Sequence, residues 1–267
     1  MADALPAALV PAAAPPAAPS PGTPAAVPGP VPWRGAWREL IAYLLGGFGL
    51  FLLFSFGLSY IFRQANILTS FVLYATNFLV FAGSAYFLGV RWRRQTWAQF
   101  GLRGFDPRWL LAALLLAAAV LPLRAVAALA AEALAGNGGA LADMQPRLDI
   151  IAPSGPLALN FIITLFGAGI LAPIAEELYF RGLLFSWFRS RFSFWPAVLI
   201  SSTIFAAGHL DSVGVAASSF FLGLVLAIVF DRGRSLWLSI AIHIINNSLA
   251  VVLLYAAMLV YPKLAGP

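Results

Sequence analysis

The sequence predicts an all-α fold: a polytopic bundle of about seven transmembrane helices with a cytoplasmic N-terminus, preceded by a disordered Ala/Pro-rich tail. Three observations predict it. Hydrophobic residues make up 61% of the 267 and charged residues 10%, with a mean hydropathy of +0.89, whereas a soluble domain needs far more surface charge. Uncharged runs of about 20 residues, enough to cross ~30 Å of hydrocarbon at 1.5 Å per residue, recur from Leu40 onward. The basic residues behind the net charge of +6 fall in short clusters between those runs, so they set orientation and do not bind nucleic acid.

The elements follow in order. Residues 1–34 are rich in Ala and Pro, with neither the basic start nor the unbroken apolar core of a secretory signal, and are expected to be a retained, disordered cytoplasmic tail. Residues 35–267 form the transmembrane domain. Its spans are expected at Leu40–Phe62, Ile67–Val90, Trp109–Ala135, Ile162–Phe188, Phe194–His209, Ser212–Phe230 and Leu236–Tyr261. The fifth and sixth are short, and their Gly and Ser residues suit close helix packing. With the N-terminus inside, eleven arginines lie on the inner side, against Arg63, Arg147 and Lys263 outside, as the positive-inside rule requires. All eight tryptophans fall at or near the same inner interface, where an indole prefers to sit. The chain is therefore read as a multi-pass integral membrane protein, in the cell (inner) membrane if its source is bacterial. Its oligomeric state is left open.

Lipid tolerates few ionisable groups, so those inside spans carry the functional signal. Arg124 and Glu132, two turns apart on the third span, are read as a snorkelling helix end or as packing against a polar neighbour, and no chemistry is assigned to them. The informative run is Pro173-Ile174-Ala175-Glu176-Glu177-Leu178-Tyr179-Phe180-Arg181. Adjacent helical residues point about 100° apart, while residues four apart stack, so Glu177 is expected to pair with Arg181 and Glu176 to have no partner. A paired Glu177 stays ionised and structural; an unpaired, desolvated Glu176 is suited to take up a proton as a general base. The chain's two histidines, His209 and His243, both lie in spans, and His243 shares a helical face with Asn247. Counted from the inner interface, Glu176 lies at about 20 Å depth, His209 at about 22 Å, His243 at about 12 Å and Asn247 at about 18 Å, close enough for one site.

Three motifs carry a family resemblance: Glu-Glu-x-x-x-Arg from Glu176 to Arg181, Phe-x-x-x-His from Phe205 to His209, and His-x-x-x-Asn from His243 to Asn247. In this order, each in an apolar span, they make the chain resemble the CPBP intramembrane proteases, the group of the CAAX prenyl proteases and the bacteriocin-processing or self-immunity (ABI) proteins. The likeness covers Ile162 to Leu253, within a protease core at about 157–255. It implies that Glu176 and His209 activate water, that His243 and Asn247 stabilise the oxyanion, and that Glu177 and Arg181 support the site. The substrate would be a membrane-associated or lipidated peptide, of CAAX or bacteriocin/leader type.

Metal dependence is open at this level. Glu176, His209 and His243 would make a three-ligand zinc site, while an imidazole and an amide sharing a face suit an oxyanion, and asparagine is a poor zinc ligand, which favours a metal-free mechanism. Other protease classes lack their residues: there is no His-Glu-x-x-His, no Gly-x-Ser-x-Gly, no cysteine and no intramembrane aspartate pair. Two alternatives from other classes are a proton-coupled transporter, which also uses intramembrane Glu, His and Arg, and a non-catalytic membrane scaffold. No inverted repeat or matched pair of broken helices supports the transporter.

Overall fold

A computed structural model describes residues 35–62, 66–136 and 140–261. The tail expected over residues 1–34, together with Arg63 and Lys263, lies outside these residues. Within them the chain is helical apart from short connections and one longer non-helical stretch, residues 93–107. Helix α1 runs as Trp37–Tyr43, a π-helical stretch Leu44–Gly49, and Leu50–Ile61. Helix α2 is Ile67–Ser84 continued by the π-helical Ala85–Trp92, and α3 is Arg108–Ala135. A helix the sequence reading had assigned to an outer loop follows as α4, Ala140–Ile151. Its Gln145, Arg147 and Asp149 conceal it from a hydropathy reading.

Helix α5 is the longest, 35 residues from Leu157 to Arg191. Two π-helical stretches, Leu165–Leu171 and Leu178–Phe185, interrupt it, with the α-helical Ala172–Glu177 between them. Then come α6 (Phe194–Ala207), α7 (Val213–Gly233) and α8 (Leu236–Val260). Among the described residues six helices are long and apolar enough to cross a membrane. The shorter α6, 14 residues, reaches about 21 Å. The seven expected spans therefore stand as six full-length helices and one short one.

Helix ends are set by local chemistry. Asn66 caps α2 by accepting the Thr69 amide at 3.0 Å, and Ser212 caps α7 through the Val215 amide at 3.2 Å. Gly136, at φ 66°, ends α3 in the left-handed conformation that glycine adopts without steric cost. Glu132, from α3, accepts the Gly214 amide at 2.8 Å. Its carboxylate thus sits on the N-terminal turn of α7, where free N–H groups and the helix dipole favour negative charge. That is a structural role for one of the two intramembrane charges without assigned chemistry.

The bundle closes by α7 packing on α3 and α6, and α8 packing on α3 and on the first half of α5. Helix α2 covers the other side of α5. The core is aromatic: Phe81 stacks on both Phe51 and Tyr179, and Phe180 meets Phe205 edge-on. Tyr179 also joins α5 to α1 by polar contact. Its hydroxyl donates to the Tyr43 carbonyl at 2.7 Å and accepts the Phe48 amide at 3.0 Å, so it enters the backbone ladder of the π-helical stretch in α1. A Cβ at Gly47 would collide with the Tyr179 ring; glycine there lets the ring approach the backbone.

Candidate active site

The site is built on the short α-helical segment between the two π-helical stretches of α5. Such stretches widen a helix and are found often at functional sites. Glu176 and Glu177 end this segment, and both are buried. The expected i, i+4 pair is present: Arg181 Nη1 lies 2.9 Å from Glu177 Oε1, with side chains 1% and 0% exposed. Arg181 also donates from Nη2 to the Gly223 carbonyl at 3.3 Å and lies over the Phe205 ring, 4.6 Å from its centroid. Buried charge of this kind persists only when paired and hydrogen-bonded.

His243, on α8, comes to both glutamates. Its Nδ1 lies 2.9 Å from Glu177 Oε1 and its Nε2 lies 3.7 Å from Glu176 Oε2. A carboxylate can only accept, so Nδ1 donates and Glu177 sets the orientation of the ring. Sequence reasoning had assigned Glu177 to Arg181 alone. Here the same carboxylate oxygen serves the arginine and the histidine. The result is a buried chain from Arg181 through Glu177 to His243 whose far end faces Glu176.

Glu176 is not partnerless, as the helix geometry had suggested. Asn77, from α2, donates from Nδ2 to Glu176 Oε1 at 3.3 Å, and Oε2 is the oxygen turned towards His243. Asn77 was missed because it lies in the second span, outside the three motifs. An uncharged amide inside an apolar run was the one signal for it.

His209 and Asn247 are held differently from the acid–histidine chain. His209 Nδ1 lies 3.0 Å from the Phe205 carbonyl, which as an acceptor requires Nδ1 to carry the proton and leaves Nε2 with a lone pair. The Phe205 ring contacts both imidazoles, with centroids 5.1 Å from His209 and 5.7 Å from His243. Asn247 donates from Nδ2 to the Ala168 carbonyl in the first π-helical stretch of α5 at 3.2 Å. Its neighbour Ser248 donates to the Gly169 carbonyl at 3.2 Å. Helix α8 is thereby fixed against the segment that precedes the glutamates. The geometry brings Glu176, Glu177, Arg181 and His243 together directly; His209 adjoins His243 through Phe205, and Asn247 lies one turn beyond His243.

For zinc, Glu176, His209 and His243 would have to converge. Among the described residues no three His, Asp or Glu side chains form a cluster able to hold a metal ion. The arrangement does not fit a three-ligand site, and no step is routed through a metal below.

Residues 158–249 match the family model described as type II CAAX prenyl endopeptidase Rce1-like. This segment is similar to that family. It contains all six residues singled out from the motifs, and it bears out the CPBP resemblance. Two curated proteins are similar to the chain. An Escherichia coli "Uncharacterized 24.3 kDa protein" is 33% identical over 97 residues, 35% of this chain and 45% of that protein. The Bacillus subtilis (strain 168) "Putative membrane peptidase YdiL" is 29% identical over 118 residues, 44% of this chain and 45% of the relative. The chain thus spans about half the length of the curated relatives it matches. No solved structure matches it. Asn77 lies outside the Rce1-like segment, so α2 contributes to the site a residue that the family match does not cover.

Proposed function

We propose that the chain is an intramembrane endopeptidase that hydrolyses peptide bonds of membrane-associated or lipidated substrates by glutamate-activated water. The observation that carries this reading is the facing pair Glu176 Oε2 and His243 Nε2, 3.7 Å apart and buried, with His243 anchored behind by Glu177. A direct hydrogen bond is shorter than this. Two such atoms suit a water that hydrogen-bonds to both, the nucleophile the reaction needs.

In the proposed reaction Glu176 takes a proton from that water as the oxygen attacks the scissile carbonyl carbon. His209 Nε2, with its lone pair free, is the second acceptor in the activation step. The C–O bond forms and the carbonyl oxygen becomes an oxyanion. Donors for it are the second amide proton of Asn247 and the Nε2 proton that His243 carries when it enters the reaction as an imidazolium paired with Glu177. Collapse breaks the C–N bond, and Glu176 returns its proton to the leaving nitrogen; the second proton of the water stays on the new acid group, so the products are a carboxylic acid and an amine. Asn77, by holding Glu176 Oε1, keeps Oε2 aimed at the water. Water is scarce in such an interior, where fixed donors act most strongly on developing charge. The substrate class follows the Rce1-like match and the bilayer-spanning helices: CAAX-type tails or bacteriocin/leader-type peptides that reach the site from the membrane.

The test is cleavage of a quenched-fluorescent, lipid-anchored peptide in proteoliposomes. Wild-type protein is expected to cleave it, and Glu176→Gln to fold normally and lose cleavage. Full activity in folded Glu176→Gln would end the reading.

A further inference from the structure

We propose that Arg124, backed by Arg147, binds a carboxylate of the peptide substrate and thereby selects which peptides are cut; this rests on the peptidase reading above. Arg124 lies midway along α3, and its Nε and Nη1 are buried without a hydrogen-bond partner. A guanidinium inside a membrane helix ordinarily pairs with a carboxylate or reaches the interface by snorkelling. Neither holds for these two nitrogens. The one acidic residue on the same helix, Glu132, has its Oε1 on the Gly214 amide.

The surroundings are cationic as well. Arg147, from α4, lies within electrostatic reach of Arg124, as does Glu176. Both arginines are within reach of His209. Arg147 is paired with Asp211 at 2.6 Å, and its Nε too is buried without a partner. Two guanidinium groups that repel each other, only Arg147 of them directly bonded to a carboxylate, thus act on the histidine side of the active site. Such an arrangement is stabilised by an incoming anion. Its position beside the reacting groups makes the substrate the natural carrier. The N–H fork of arginine fits a carboxylate in bidentate fashion, and a peptide offers carboxylates of two kinds, its free C-terminus and an acidic side chain.

The experiment uses the full chain in detergent micelles and a lipid-anchored fluorescent peptide in three forms: free C-terminal acid, C-terminal amide, and C-terminal amide bearing one glutamate near its end. Binding is read by anisotropy on Glu176→Gln protein and cleavage on the unmodified protein. At least one carboxylate-bearing form is expected to bind about tenfold tighter than the plain amide. Preference for the free acid assigns the C-terminus; preference for the glutamate form assigns the side chain. Adding Arg124→Gln should bring the ratio towards 1, and Arg124→Lys should keep part of it. Equal binding of all three forms by protein with Arg124 intact would overturn the proposal, whether or not the Gln variant folds. So would a Gln variant that weakens every form equally, the behaviour of a structural counter-ion. A persistent acid preference with no cleavage of any form would leave this inference standing and remove the peptidase reading instead.

Discussion

Replacing Arg181 by alanine tests whether the Glu177 side of the site is structural. The side chains of the pair are 1% and 0% exposed, and removing one partner of a buried ion pair costs about 3–5 kcal/mol because the other charge is left uncompensated. His243 still donates to Glu177 Oε1, which places the cost near the lower end, about 3 kcal/mol. Loss of the bond from Nη2 to the Gly223 carbonyl adds about 1 kcal/mol. A destabilisation of about 4 kcal/mol is about a quarter or more of the stability of an ordinary domain. Removing both charges in Glu177→Gln/Arg181→Met leaves no orphan ion and should recover most of that loss. Denaturant unfolding in detergent, followed by tryptophan fluorescence, measures all three proteins, with size-exclusion profiles as a check on yield. If Arg181→Ala were as stable as wild type, or if the double variant were no better than the single one, the pair would not be the structural unit described. Neither variant should retain normal activity, because His243 loses its anchor or its anchor moves.

Asn77→Ala should fold and lower kcat with little change in KM, since it frees Glu176 Oε1 without removing the base; steady-state kinetics on the lipid-anchored peptide check this. Tyr179→Phe leaves the Tyr43 carbonyl and Phe48 amide without the hydroxyl they share and should destabilise by about 1–3 kcal/mol, measured by thermal melting; no change would mean that water replaces the hydroxyl. Elemental analysis of purified, active protein should find no stoichiometric zinc, and activity lost to a chelator and restored by zinc would make Glu176, His209 and His243 ligands after all. Single cysteines at Ser190 and Gly233 should be shielded from impermeant reagents outside intact cells while one at Gly138 reacts, and the reverse pattern would invert the topology.

The helices were legible because lipid imposes length and apolarity, and each expected span begins or ends within a few residues of an observed helix. Helix α4 was not, since its polar residues carry no such signal and its place is set by packing. The Glu177–Arg181 pair followed from helical spacing alone. The contact of His243 with both glutamates did not, because it depends on how α8 lies across α5. Asn77 and the inward-turned Arg124 were hidden for the same reason: one sequence shows that a polar group is in a span, and only the neighbours decide what it meets. Glu132 is the converse, a charge whose helix-capping partner belongs to a segment 82 residues away.

The two wide stretches of α5 make length, not phase, the forgiving property of this helix. Each residue of a regular helix advances the side chains by about 100°, so one deletion there turns everything beyond it by that amount. A π-helical turn holds about one residue more than an α-helical turn. Deleting one residue within Leu165–Leu171 and letting that turn tighten would therefore leave Glu176 and Glu177 close to their present phase relative to the turn carrying Asn160 and Thr164. Excising one residue from Leu178–Phe185 would likewise keep the turns down to Trp187 in phase. The same deletion within Ala172–Glu177 has no slack to absorb it and would swing the reactive carboxylates away from His243.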